Sequence, residues 1–162
     1  MPFLKNSSDD TLFFTRPVLD LKAYSGQVIS AKELREWLKD AIECESSGSY
    51  KLDPETMIVL ASPKNIKSEW RWFIVDGKIV SGSMYRLNGI LDKREELDPD
   101  TILEAQTFAD KWLPKQTCVM DLALVDDEVK VIEFNTINSS GFYAHNVDNI
   151  IHAMYLNFIR EA

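Results

Sequence analysis

The chain has 162 residues, and 26 acidic against 18 basic side chains give it a formal charge of −8. That length fits one domain, or one unit made of two small lobes. Hydrophobic residues make up 45% of it, with 8 Phe, 5 Tyr and 4 Trp, enough for a packed core and too many for global disorder. No apolar run reaches the ~18 residues of a membrane helix, and the polar start Lys5-Asn6-Ser7-Ser8-Asp9-Asp10 is no signal peptide. The reading is a soluble, cytoplasmic protein without a membrane partner. Its acidic balance lacks any basic cluster, which argues against nucleic acid as a partner.

The pattern along the chain reads as strands and helices joined by short turns. Leu12 to Arg16 is a short aromatic strand stopped by Pro17. Ser30 and Glu33 have the spacing of a capping box, and Leu34, Trp37, Leu38, Ala41 and Ile42 follow at helical spacing. That helix should end in the Ser46-Ser47-Gly48-Ser49 loop. Met57 to Ala61 is a buried-type strand, closed by Ser62-Pro63. Asp76-Gly77 is a strong hairpin turn within Trp70 to Ser83. Asp98-Pro99 starts a helix whose expected apolar face is Ile102, Leu103, Ala105, Ala109 and Trp112. Cys118 to Val125 and Val129 to Asn135 form a second hairpin across an acidic turn. A closing helix carries Val147, Ile150, Ile151, Met154 and Phe158. This order predicts an α+β fold with antiparallel hairpins. A lobe boundary is expected near Pro63 to Ser68. Cys44 and Cys118 have no metal-type spacing and read as buried thiols.

The common phosphate-cradling loops G-x-x-x-x-G-K-[ST] and G-x-G-x-x-G are absent, as are G-x-S-x-G and H-E-x-x-H. His145 and His152 read as packing or surface residues. The second hairpin is more informative. If its turn centres on Asp127, Asp121 faces Glu133, Asn135 shares their side, and Met120–Phe134 and Leu122–Ile132 pair on the other. Two carboxylates so close repel unless a proton, an Arg or Lys, or a divalent cation intervenes. Oxygen donors from Asp, Glu and Asn suit magnesium. Hairpin pairing alone places no cation there, so removing one charge is expected to leave the ligand-free protein as stable or slightly more so. In the first hairpin a two-residue turn sets Arg71 opposite Gly82, with Glu69 and Arg86 on the same face. A guanidinium there suits phosphate or carboxylate. Arg16 and Lys22 flank a proline turn as a second cationic pair.

These signals occur in an order that resembles the nucleotide-binding part of the ATP-grasp enzymes. The divergent clade with bacterial and phage proteins and the eukaryotic assembly factor for a translation-initiation complex is the most similar. The segments are Arg16-Pro17 with Asp20, Lys22, Tyr24 and Gly26; Glu69-Trp70-Arg71-Trp72-Phe73; and Ser83-Met84-Tyr85-Arg86. Val119-Met120-Asp121, Ile132-Glu133-Phe134-Asn135 and Ser140-Gly141-Phe142-Tyr143 complete the set. Together they span nearly the whole chain.

The resemblance implies an ATP-grasp fold in which two small α+β lobes with antiparallel sheets clamp ATP: residues 1–63 as the small lobe, 64–162 as the large lobe with the metal site. It implies that Arg16 and Lys22 contact the phosphates and that the strand ending at Ser62 lies beside the adenine. Glu69 would join the cofactor-binding set, Arg71 and Arg86 would hold the γ-phosphate or an acyl-phosphate, and Asp121, Glu133 and Asn135 would carry Mg2+. The implied activity is ATP-dependent ligation of a carboxylate to an amine on a small-molecule, peptide or protein acceptor. The alternative is an ATP-binding assembly factor or interaction module that ligates nothing. Thr136 stands where the family commonly has proline. The family's further N-terminal substrate lobe is expected to be absent, leaving a partner chain or oligomer to supply that surface.

Overall fold

The computed structural model of the chain describes residues 2–18, 24–43 and 56–161, with side chains at 4–18, 24–40 and 56–160. It divides into two units, Met1–Pro63 and Lys64–Ala162. Every described strand pair is antiparallel, and helices pack on sheet faces rather than linking parallel strands, so the class is α+β. Among the described residues no helix is long and apolar enough to cross a membrane.

The first unit comprises α1 (Pro2–Asn6), β1 (Leu12–Pro17), β2 (Gln27–Ser30), α2 (Ala31–Glu43) and β3 (Ile58–Ala61), with sheet order β2-β1-β3. The capping box forms: the Ser30 N–H donates to Glu33 Oε2 at 2.8 Å, and the Glu33 N–H donates to Ser30 Oγ at 3.1 Å. Leu34 of α2 is fully buried and packs with Ala31 and Leu4, with Phe13, Trp37 and Leu60 around them. The helix α1 and the strand β2 have no counterpart in the sequence reading. Cys44, the Ser46–Ser49 loop and the side chains of Ala41 and Ile42 lie outside the described residues.

The second unit is a five-stranded sheet, β6-β5-β4-β7-β8, built from β4 (Ile66–Val75), β5 (Lys78–Leu87), β6 (Ile90–Glu95), β7 (Cys118–Val125) and β8 (Glu128–Asn135). Its hairpin turns use Asp76-Gly77, Asn88-Gly89 and Asp126-Asp127, all with positive φ, as two-residue turns between twisted strands require. The Asn-Gly turn is a plain hairpin signal that the sequence reading passed over, and β6 was missed with it.

One face of this sheet packs on α3 (Pro99–Lys111), which Asp98 caps by accepting the Thr101 N–H. Trp72, Ile74, Met120 and Leu122 bury against Ala105 and Ala109, each large apolar side chain stabilising by about 1.5–3 kcal/mol. Leu103 and Trp112, expected on this face, are more than 60% exposed, so α3 contributes the narrower stripe of Ala105 and Ala109 flanked by Ile102 and Phe108. The opposite face is covered at one end by α4 (Val147–Glu161), whose Ile150 packs on Phe73 and Val119. Ile151, Met154 and Phe158, named with Ile150 as apolar residues of this helix, are exposed.

Two hairpin registers differ from the simple sums. Arg71 pairs with Ser83 rather than Gly82, because Val80 is an extra residue on β5. Gly82 instead faces Trp72, whose ring fills its place: a Cβ there would lie 2.2 Å from the indole. Leu122 pairs with Val131 rather than Ile132, which is the bulged residue of β8. Gly82→Ala should therefore cost about 1–3 kcal/mol by overpacking a fully buried ring, measurable by urea denaturation; unchanged stability would mean that Trp72 has room to move.

Candidate functional site

The sheet face beside α4 carries a row of directly paired residues across all five strands: Glu95, Ser83, Arg71, Asp121 and Glu133. Asp121 is the only charged residue of β7 and is 2% exposed. Burying such a carboxylate costs several kcal/mol unless it is paired. Arg71 supplies the partner from the neighbouring strand: its Nε donates to Asp121 Oδ1 at 2.9 Å and its Nη2 to Oδ2 at 2.7 Å. This forked geometry is the strong form of the charge-assisted hydrogen bond. Burial raises the Asp121 carboxyl above its ordinary range, while the Arg71 hydrogen bonds pull it down. The same hydrogen bond raises the Arg71 pKa, holding the guanidinium charged.

The expectation that no cation faces the carboxylate pair is therefore corrected. Hairpin arithmetic pairs only neighbouring segments, whereas Arg71 reaches Asp121 from a strand 50 positions away.

Around this pair the sheet gathers the other sequence-derived candidates of the second unit. Glu133 lies across from Asp121 on the exposed edge strand, and Asn135 Nδ2 donates to Glu133 Oε1 at 2.8 Å. Glu69 pairs in register with Arg86, which approaches it to 3.5 Å. The Tyr85 hydroxyl donates to the other oxygen of Glu69 at 2.9 Å. Tyr85 and Arg86 are adjacent in sequence yet both reach Glu69, because the register slips between Glu69 and Trp70 and leaves Tyr85 as the extra residue. Burial first, then the charges of Asp121 and Glu69, hold the Tyr85 hydroxyl well above its ordinary range, so it remains a donor.

The segment after β8 closes over this row. Arg71 Nη1 donates to the Gly141 carbonyl at 3.3 Å. Tyr143, in the left-handed region at φ 40°, stacks on Tyr85 with centroids 4.9 Å apart. The Arg71 guanidinium lies 4.9 Å from the Tyr143 ring centre and 5.8 Å from that of Tyr85, a cation–π arrangement. His145 packs edge-on against Phe73, with Nδ1 3.0 Å from Ser81 Oγ. Its Nε2 is buried without a hydrogen-bond partner among the described residues. Desolvation first and the Arg71 charge second lower its pKa from 6.5 to about 4. Tyr85, Tyr143 and Gly141 were assigned no role from sequence, although they lie in the quoted motifs, while His145, read as a packing or surface residue, is buried against Phe73.

The remaining candidates belong to the first unit. Arg16 on β1 is exposed, its Nη1 donating to the Pro17 carbonyl at 3.1 Å. Ser62 is exposed just past β3, and Lys22 lies outside the described residues. Among the described residues no three His, Cys, Asp or Glu side chains converge as a metal centre. The donor set of Asp121, Glu133 and Asn135 is all oxygen, which fits a hard cation such as Mg2+ that takes one or two carboxylates and completes its shell with phosphate and water.

Two measurements test this geometry. Asp121→Asn would leave the 9%-exposed Arg71 without its counter-charge, for a loss of about 3–5 kcal/mol, whereas Glu133→Gln on the exposed edge should change stability by less than about 0.5 kcal/mol. Equal effects in urea denaturation would contradict the pairing. The second test concerns His145. A histidine with a lowered folded pKa binds its proton more weakly folded than unfolded, so stability falls as pH drops below 6.5 and the loss levels off near 4. Between pH 7 and pH 5 the wild type should lose about 2 kcal/mol more than His145→Gln.

With the geometry in view, the chain can be compared with known proteins. A family model for the ATP-grasp domain, family 3 of its clade, matches residues 11–154. No curated protein matches the sequence. Among solved structures, the ATP-grasp ligase PsnB complexed with a phosphomimetic variant of its minimal precursor, Mg and ADP is similar at TM-score 0.51 and 16% identity, over 81% of this chain and 38% of that one. The same ligase complexed with minimal precursor is similar at TM-score 0.52 and 17% identity, over 88% and 48%. The chain thus spans less than half the length of these structures, and the likeness is one of fold. The family match covers most of the chain, from β1 into α4: the protein belongs to this clade family of ATP-grasp domains.

Proposed function

We propose that the protein is an ATP- and Mg2+-dependent ligase that activates a carboxylate as an acyl-phosphate and passes it to an amine on a peptide, protein or small-molecule acceptor. The observation that carries this reading is the row Arg71–Asp121–Glu133 with Glu69, Arg86 and Asn135 beside it, in a family whose fold relatives include a ligase complexed with Mg and ADP. Phosphoryl transfer depends mainly on positioning and charge neutralisation, so it requires no nucleophilic side chain from the protein. Arg71 and Arg86 would bind and orient the γ-phosphoryl group. Asp121, Glu133 and Asn135 would hold Mg2+, which supplies charge neutralisation at the phosphates. Arg16, Lys22 and Ser62 of the first unit, and Glu69 of the second, complete the nucleotide contacts in this reading.

The peptide-class acceptor is favoured because the fold relative was solved with a precursor. Thermal denaturation provides the first test: ATP with Mg2+ at ~100 times its Kd should stabilise by ~2.7 kcal/mol and raise Tm by roughly 5–10 °C. Glu133→Gln should remove much of the Mg2+-dependent part of that shift. No shift at millimolar nucleotide and metal would sink the reading. ADP release that depends on an added carboxylate and amine would then establish ligation, while binding without such release would assign the assembly-factor alternative.

A further inference from the structure

Asp121 and Glu133 together carry two negative charges, and Arg71 cancels one of them at 2.7–2.9 Å. A free divalent cation therefore meets a net charge of −1 in the ligand-free site rather than −2. Arg71 is also firmly held: three of its five N–H groups are spent on Asp121 and the Gly141 carbonyl, and two tyrosine rings flank its guanidinium. Two N–H groups remain to attract an anion, and phosphate is the anion whose geometry the guanidinium fork fits.

We propose that Arg71 is the resident counter-ion of the carboxylate pair, and that a divalent cation is held tightly only once nucleotide phosphate draws the guanidinium off Asp121. The proposal rests on the metal-and-nucleotide reading above and adds to it a coupling between the two ligands. Tyr143 is a positioning residue in this scheme. Its ring lies against the Arg71 guanidinium and stacks on Tyr85, and in the scheme it acts by keeping Arg71 on Asp121 while the site is empty.

Mn2+ is a suitable probe, because its bound and free forms are separated by electron paramagnetic resonance and the readout needs no turnover. Wild-type protein should bind free Mn2+ weakly, and at least tenfold more tightly when a non-hydrolysable ATP analogue is present. Arg71→Gln should bind Mn2+ in the absence of nucleotide at least tenfold more tightly than wild type, and lose most of the enhancement by the analogue. Tyr143→Leu keeps every charge and removes one of the two rings over the guanidinium. It should raise nucleotide-free Mn2+ affinity several-fold while circular dichroism remains native. If Arg71→Gln fails to fold, Tyr143→Leu decides alone. Nucleotide-free Mn2+ affinity unchanged or weakened in the folded variants overturns the coupling and leaves the metal reading standing, provided Glu133→Gln still lowers ternary Mn2+ binding. Absence of Mn2+ binding to every variant, with or without nucleotide, overturns both.

Discussion

The buried ion pair between Arg71 and Asp121 constrains the whole second unit. A carboxylate in the middle of the apolar strand β7 is tolerated only if a cation meets it with both hydrogen bonds made. Arg71 does so from the position directly opposite. The requirement fixes β4 beside β7, and with it the register, because a slip of one residue would turn Asp121 into the α3-facing core and Met120 out of it. Once β4 and β7 are set, the remaining strands carry their polar residues to the same row: Ser83 and Glu95 on one side, Glu133 on the other.

Bulges then separate what alternation would scatter or misplace. The extra residue Val80 moves Ser83 opposite Arg71 and places Gly82 under the Trp72 ring. The slip at Tyr85 brings two consecutive side chains to Glu69, one as a neutral donor and one as a cation. The bulge at Ile132 keeps Glu133 opposite Asp121 although the turn has only two residues. Such irregularities next to a functional row are the usual way a regular sheet re-aims side chains. The apolar side meanwhile remains continuous from Trp72 to Leu122.

Much of this was legible in the sequence, and the reasons for success and failure differ by element. The capping box of α2, the proline start of α3 and the Asp76-Gly77 turn are local signals, and each forms as expected. The pairing of Asp121 with Glu133 was expected from a turn centred on Asp127, and it arises instead from a two-residue turn plus a bulge. Arg86 likewise lies on the face of Glu69, because two extra residues on β5 add to a shift of two, which restores the side while changing the partner. These agreements came through register shifts, which no arithmetic on turn centres contains. The Arg71–Asp121 pair was invisible for a deeper reason: it joins strands from different hairpins, and adjacency of that kind is decided by burial of the whole sheet. The exposed Leu103, Trp112 and Phe158 show the converse, since helical spacing marks apolar residues without saying how wide a stripe the sheet can cover.

The charge balance of the row bears on how an acidic chain can hold a polyanion at all. With a formal charge of −8, the protein offers ATP no general attraction. Within the row Arg71 is offset by Asp121 and Arg86 by Glu69, leaving Glu133 without an arginine partner of its own among the described residues. The carboxylates of Asp121, Glu69, Glu133 and Glu95 against the two arginines sum to −2, so the resting row repels phosphate rather than drawing it in. Nucleotide binding under the proposed function thus requires either that a cation accompany the phosphates or that an internal pair open. Arg86 is the easier to free, being about half-exposed at 3.5 Å from its partner, while Arg71 is almost buried and doubly hydrogen-bonded. Under the proposed function, phosphate would be met first by Arg86 and would draw the Arg71 guanidinium off Asp121 as the accompanying cation takes its place, so that the carboxylate is not left unpaired.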